Sequence, residues 1–406
     1  MRFIRGGICG LIAFAVLASG AVEPWSQAIL EMGSALLVLL WAVSAVRRGR
    51  VEVHWNWLLA PLLCLIAFCI AQGAQGFTVY AYVSTVELLL WAACLLLVFL
   101  ANESIRTDQQ IHSFQWFLLT LGFFVSLFGI VQHLIPNGKL YWLRPLRWGG
   151  SPLGPFVNHN HFAGFVVLIV PLGLALILGT ATRRDKLPLL YLFTALPIGA
   201  LFLSGSRGGM ASFLLEVVLL GFLATTNSPG RRRLVEAAGF AVLAGALVLW
   251  LGVGPARWQL FGSPFAEIPH DRRISMFKDT LRIFLDHRWI GTGLGTLQTV
   301  YPRYESYYDG AIVTHAHNDY LELLSDTGLA GGMCGLAFVV ILFWRGIQNW
   351  RAAESPSSRS FCAGAVAACG GMLLHSLVDF NLHIPSNALL FLVLACLVTS
   401  TAQEKI

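Results

Sequence analysis

The chain has 406 residues, of which 56% are apolar and only 12% charged, and its formal net charge is +6. Soluble domains carry about twice that charged fraction, so the composition excludes a water-soluble enzyme and points to a polytopic membrane protein. The eight cysteines fall in or beside apolar runs and form no CxxC pair, which supports neither a metal knuckle nor a disulfide framework.

A bilayer core takes roughly 20 apolar residues per helix. Runs near 4–20, 27–46, 57–71, 83–100, 112–134, 161–180, 187–203, 209–226, 234–252, 326–344, 361–378 and 387–402 approach that length. Lipid offers their backbone no partners and they lack a barrel's alternation, so helix is the expected state. The expected fold is all-α and polytopic, with about twelve transmembrane helices. Residues 1–252 carry the first nine, 253–325 form a long, partly helical external loop, and 326–406 carry the last three. Arg2, Arg5, an apolar stretch and the small residues Ala18 to Ala21 resemble a secretory signal; the eleven runs that follow favour an uncleaved first helix. The first 110 residues carry no motif of known chemistry.

Basic residues set the orientation. Arg47, Arg48 and Arg50 follow the second run, Arg183, Arg184 and Lys186 the sixth, Arg231, Arg232 and Arg233 the eighth, and Arg345 and Arg351 the tenth. All are even-numbered exits, which predicts cytoplasmic termini. The net charge is then a topology signal and calls for no nucleic acid.

This topology places the chemically interesting residues on the external side. GPFVNHNHFAG puts Asn158, Asn160 and His161 at the entrance of the sixth run, after Arg144 and Arg147. Arg207 stands in SGSRGG between two apolar runs, and a boundary charge of this kind defaults to a functional role. In the long loop, Ile274, Phe277, Leu281, Phe284 and Leu285 recur at helical spacing, predicting an amphipathic helix on the membrane surface with Arg273 beside its apolar stripe. Arg273 then reads either as an interfacial anchor or as a phosphate contact. WIGTGLGTL follows, with Gly291, Gly293 and Gly295; it lacks the spacing and strand–helix context of a nucleotide loop and predicts a tight turn.

Next comes THAHNDYLELLSDTGLAG, residues 314–331. Tyr320, Leu321 and Leu324 follow His317 at helical spacings, predicting that the imidazole lies on the apolar side of a short helix, with a stop or break at Gly328. A histidine there is either a hydrogen-bonded structural residue or a base. His315, Asn318, Asp319 and Glu322 make a metal site conceivable, but His315 and His317 would diverge on a helix and no HExxH spacing exists, so a metal is not expected. Finally, HSLVDFNLHIP puts Asp379 and His383 between the last two runs.

Together these strings resemble the O-antigen ligase and polymerase superfamily of bacterial envelope enzymes, over about residues 150 to 385. The most specific element is the ligase pattern His, then Asn, nine residues, Gly, two residues, Gly, met by His317, Asn318, Gly328 and Gly331. Ser206, Arg207 and Gly208 match the family's Ser-Arg-Gly turn, Arg273 its loop-helix arginine, Asn158, Asn160 and His161 its Asn-x-Asn-His element, and Asp379 its late acid. Where that loop helix often carries Trp four residues after the arginine, this chain has Phe277.

The resemblance implies an inverting, metal-independent glycosyltransferase without cofactor. It implies an undecaprenyl diphosphate-linked glycan as donor and the lipid A core oligosaccharide as acceptor, at the periplasmic face of a Gram-negative inner membrane. His317 is then the candidate general base, with a pKa range suited to taking a hydroxyl proton. Arg207 and Arg273 are candidates to hold the diphosphate, since preorganised guanidiniums compensate leaving-group charge without a metal. Arg147, Asn160, His161, Arg272, His315, Asn318 and Asp379 are candidate substrate contacts. A polymerase extending a lipid-linked chain, or a protein oligosaccharyltransferase, would use the same arginines on the same diphosphate. A transporter is the reading from another class; no internal repeat supports it.

Overall fold

The computed structural model describes residues 1–146, 152–179, 182–226, 270–308 and 310–400. The chain is all-α and polytopic: seven described helices are long and apolar enough to cross a membrane. Helices coincide with eleven of the twelve apolar runs; the ninth, 234–252, lies outside the described residues. They are α1 (Arg2–Leu17), α2 (Pro24–Arg47), α3 (Leu59–Ala74), α4 (Ala81–Ser104), α5 (Asp108–Leu134), α6 (His159–Leu178), α7 (Leu187–Ser204), α8 (Arg207–Thr226), α9 (His270–Asp286), α10 (Asp319–Ala352), α11 (Pro356–His375) and α12 (Pro385–Thr399). A two-residue hairpin pairs β1 (Lys139–Leu140) with β2 (Arg144–Pro145), and Arg144 ties it to Glu23 at the start of α2 (2.5 Å).

The core is built around α6 and α12, whose residues are almost all buried. α11 reaches α6 because Gly364 has no side chain: a Cβ there would lie 2.9 Å from the Pro171 carbonyl oxygen. Small residues of this kind let helix backbones approach where lipid supplies no hydrophobic drive. Gln115 of α5 donates to the Leu172 carbonyl (2.9 Å), a polar link inside the same apolar core.

α10 is broken at Gly328, whose backbone (φ 63°, ψ −160°) lies outside the helical region, as the sequence predicts. A break within a membrane-spanning helix frees backbone groups that must find partners, and the glycine loop supplies them. The amides of Leu329 and Ala330 donate to the carbonyls of Arg288 (2.7 Å) and Trp289 (3.3 Å). In return Thr292 and Gly293 donate to the carbonyls of Ser325 (3.0 Å) and Asp326 (2.9 Å), while Gln72 of α3 donates to Ile290 and Asp326. The approach is so close that a Cβ at Gly328 would sit 2.4 Å from the Trp289 carbonyl carbon. Gly291, Gly293 and Gly295 all adopt positive φ, so the WIGTGLGTL segment is the turn expected and also a backbone splint for α10.

α9 buries Met276, Asp279, Thr280 and Ile283. The expected apolar stripe faces the other way: Ile274, Leu281 and Leu285 are exposed, which suits a helix lying on a lipid surface. Buried Asp279 organises the loop beneath, accepting from the Tyr301 hydroxyl (3.2 Å) and from the amide and hydroxyl of Ser306 (2.9 Å each). Burial, then the Asp279 carboxylate, push the Tyr301 phenol up, so it stays a neutral donor. Met276 and Ile283 pack in one cluster with Val313 and Ala316, which brings α9 against the segment leading to His317.

Candidate functional site

Against the expectation from its spacing, His317 does not lie on a helix; α10 starts at Asp319, and His317 precedes it with φ 51°. The apolar spacing of Tyr320, Leu321 and Leu324 belongs to a helix that His317 only introduces. A left-handed backbone at a non-glycine residue costs about 1–2 kcal/mol and turns the imidazole off the helix surface towards the turn after α11. Asn318 makes this possible as the cap of α10. Its side-chain oxygen accepts from the Leu321 amide (2.9 Å) and its side-chain nitrogen donates to the Leu377 carbonyl (2.9 Å).

In that turn His317 Nδ1 donates to Asp379 Oδ1 (3.2 Å), which also accepts the Phe380 amide (2.9 Å). A carboxylate only accepts, so Nδ1 carries a hydrogen, and in the neutral imidazole the lone pair is on Nε2. The pair is largely shielded, with side-chain exposures of 12% for His317 and 2% for Asp379. Burial alone would raise the Asp379 pKa; the His317 hydrogen bond and the surrounding histidines overcome this and hold the carboxyl below the usual carboxylate range. Its Oδ2 is buried without a partner among the described residues.

Phe380 is the hub of the site. Its ring stacks on His315 (4.3 Å between centroids) and meets His161 and His317 edge-on, each at 4.8 Å. His161, in the first turn of α6, is buried and anchored to α12, its carbonyl accepting from the Asn387 side chain (2.9 Å). Asn160 precedes it in the same turn, its amide capped by Asn158 (2.9 Å).

On the other side of Phe380, His383 Nδ1 donates to Asp319 Oδ1 (2.8 Å) and its Nε2 faces Glu322 Oε1 (3.3 Å), while His315 Nδ1 donates to the same Glu322 oxygen (2.8 Å). Burial alone would lower the His383 pKa; the Glu322 and Asp319 carboxylates outweigh it and raise it to about 10. His315, Glu322 and His383 have donor atoms within 4.8 Å of one another and could hold a metal ion. That set joins residues from three segments, which the spacing of His315 and His317 does not reveal.

Arg207 is the first residue of α8. Gly205 turns the chain with φ 69°, and Ser206 caps the helix by accepting the Gly209 amide (3.2 Å). Gly208 packs beside His375 and Val378, so a Cβ there would lie 2.7 Å from the imidazole; this sets the start of α8 next to the Asp379 turn. A cation at a helix N-terminus opposes the helix dipole, so Arg207 and the helix end reinforce each other as a site for an anion. The first turns of α6 and α8 contain no acid, whereas that of α10 contains Asp319 and Glu322. An anion is thus favoured at the α6 and α8 ends and disfavoured at α10.

Arg273 is half-buried on α9, one turn before Met276, and its Nε is buried without a partner among the described residues. Arg272 donates to the Ala311 carbonyl (3.1 Å). Arg147 lies outside the described residues. Phe380 and Asp326, which accepts the Gly295 amide (2.6 Å), were not among the sequence candidates; Glu322 entered there only as a conceivable metal ligand.

The structure therefore defines a polytopic membrane protein with a histidine–carboxylate pair and an arginine-marked helix end at one end of the bundle. Residues 190–336 match the family model described as O-antigen ligase, a model of glycosyltransferase-like ligases and polymerases. The matched span contains Arg207, Arg273, His317, Asn318, Gly328 and Gly331; Asn160, His161 and Asp379 lie outside it. A comparison with curated proteins found no match.

Proposed function

We propose that this protein is an O-antigen ligase that transfers a glycan from undecaprenyl diphosphate to a sugar hydroxyl of the lipid A core. The reaction takes place at the periplasmic face of a Gram-negative inner membrane, with both termini cytoplasmic. The observation that carries this reading is the His317–Asp379 pair, which presents one imidazole nitrogen as a lone pair while Asp379 holds the other. Nε2 takes the proton of the acceptor hydroxyl as its oxygen attacks the donor's anomeric carbon. The bond from that carbon to the diphosphate breaks on the opposite face, so configuration inverts and undecaprenyl diphosphate leaves with the electron pair. Asp379 stabilises the imidazolium that forms.

Arg207 at the α8 terminus and Arg273 on α9 compensate the leaving-group charge, with Arg272 and Arg147 assisting; this division of labour needs no metal and no cofactor. His161, Asn160 and His315, grouped around Phe380, contact the sugars, while Asn318 places His317. Purified protein mixed with undecaprenyl diphosphate glycan and lipid A core should give a core product heavier by the glycan, in the presence of chelator as in its absence. A lengthened undecaprenyl-linked glycan with unmodified core would make it a polymerase. A glycosylated protein acceptor would make it an oligosaccharyltransferase. Loss of transfer in chelator, restored by one divalent ion, would end the metal-free mechanism.

A further inference from the structure

The opposite end of the bundle carries a second polar cavity. α1 and α4 establish which end it is. Gly20, just past α1, packs on Phe156 and Ile384 beside the site, and near the start of α4 Ser84 donates to the Leu294 carbonyl of the glycine loop (2.9 Å). A helix of 24 residues is about 36 Å long, so Glu103 and Ser104, its last residues, open on the far surface. There a cavity of about 250 Å³ lies between the ends of α1, α2, α4 and α5.

Arg5, Arg48, Arg50 and Arg106 line this cavity against Glu52 and Glu103. Both acids are already engaged. Glu52 pairs with Arg50 (3.1 Å), and buried Glu103 accepts from the amide and the ring of His54 (2.9 Å each). Arg5 and Arg48 are positioned by backbone carbonyls, of Ser104 and Ser44 (3.1 Å each). Those contacts use one donor of each five-donor guanidinium and neutralise no charge. Arg106 makes no ion pair among the described residues; the start of α5 beside it is already capped by Thr107 and Gln110 and carries Asp108, so the cationic character comes from the arginines themselves. The concavity is therefore cationic, rich in forked donors and set at the level where a bilayer ends. Basic pockets between helix ends suit phosphate-bearing headgroups.

We propose that this cavity binds the phosphate of an anionic phospholipid in the leaflet opposite the transfer site. Arg48 and Arg50, which mark topology in the sequence, thereby also form part of a binding site. The test is native mass spectrometry of the full-length protein with phosphatidylglycerol, cardiolipin or phosphatidylcholine, repeated for Arg48→Gln/Arg106→Gln, Arg48→Lys/Arg106→Lys and the control Arg47→Gln/Arg351→Gln, which removes two arginines that do not line the cavity. The wild type should retain the anionic lipids over phosphatidylcholine by on the order of tenfold or more. The Gln pair should lose most of that preference, while the Lys pair and the control keep it. Absence of preference in the wild type, or an equal loss in the control, would overturn the site. Displacement of the lipid by inorganic phosphate at the same molarity would overturn the lipid as its source, in favour of a soluble phosphate ester.

Discussion

Two histidine–carboxylate assemblies flank Phe380, and they are built for opposite ends. His317 has one nitrogen on Asp379 and its Nε2 without a hydrogen bond among the described residues. His383 has a carboxylate oxygen at each nitrogen, Asp319 at 2.8 Å and Glu322 at 3.3 Å. Carboxylates beside both nitrogens favour the charged ring, so His383 is an imidazolium that clamps the start of α10 to the turn before α12. A base must be able to gain a proton that it does not already hold. The arrangement therefore assigns the chemistry to His317 and the architecture to His383, although both lie in polar turns at the same end of the bundle.

Removing each imidazole in turn separates the two roles. His317→Ala should lower transfer by about 10²–10⁴-fold, the contribution of a positioned general base, with the protein still in the membrane. His383→Gln should act chiefly on thermal stability. Equal rate losses in single-turnover assays would erase the distinction.

Asp379→Asn sharpens it further. An amide can donate to Nδ1 and so favour the wrong tautomer, leaving the lone pair away from the acceptor. We expect a fall in kcat of about 10²-fold or more with little change in KM, using the triad aspartate of serine proteases as the guide to magnitude. A change confined to KM would make Asp379 a sugar contact.

Gly328→Ala tests the frame on which both assemblies stand. A Cβ would meet the Trp289 backbone at 2.4 Å, and φ is positive, so at least about 1–3 kcal/mol of stability should be lost. The melting temperature should drop, and peptide hydrogen exchange should rise in 288–296 and 325–331 together. An unchanged melting temperature would contradict the splint between the two segments.

The smallest effect is a pH slope. The folded pKa of His383, about 10, lies above its ordinary value of 6.5, so the folded state keeps a proton that the unfolded state releases. Its contribution is fully present below pH 6.5 and declines as pH rises towards 10. The melting-temperature difference between wild type and His383→Gln should shrink over that interval; a constant difference would remove the charge from the clamp.

Much of the frame was legible along the chain. Eleven apolar runs coincide with helices, Gly328 breaks α10 where the motif places it, and the three glycines after Ile290 form a turn. The amphipathic pattern of α9 also holds, with its apolar stripe left outward. The site was legible as a set of residues, and much less as a set of contacts. Asp379 lies 62 residues from His317, and His383 lies 64 from Asp319; no periodicity links such positions.

The all-α membrane architecture, the helix break and the residues that can carry charge at the bundle end are written in the chain. Those properties follow from local patterns: apolar run length, glycine's access to positive φ, and the cost of a lone charge in lipid. That His317 stands outside the helix, that Asp379 holds its Nδ1, and that Asp319 and Glu322 hold His383 instead depends on the packed fold. An imidazole's role depends on which acceptors reach its two nitrogens, and here those acceptors come from distant segments brought together by the packing of α6, α10, α11 and α12.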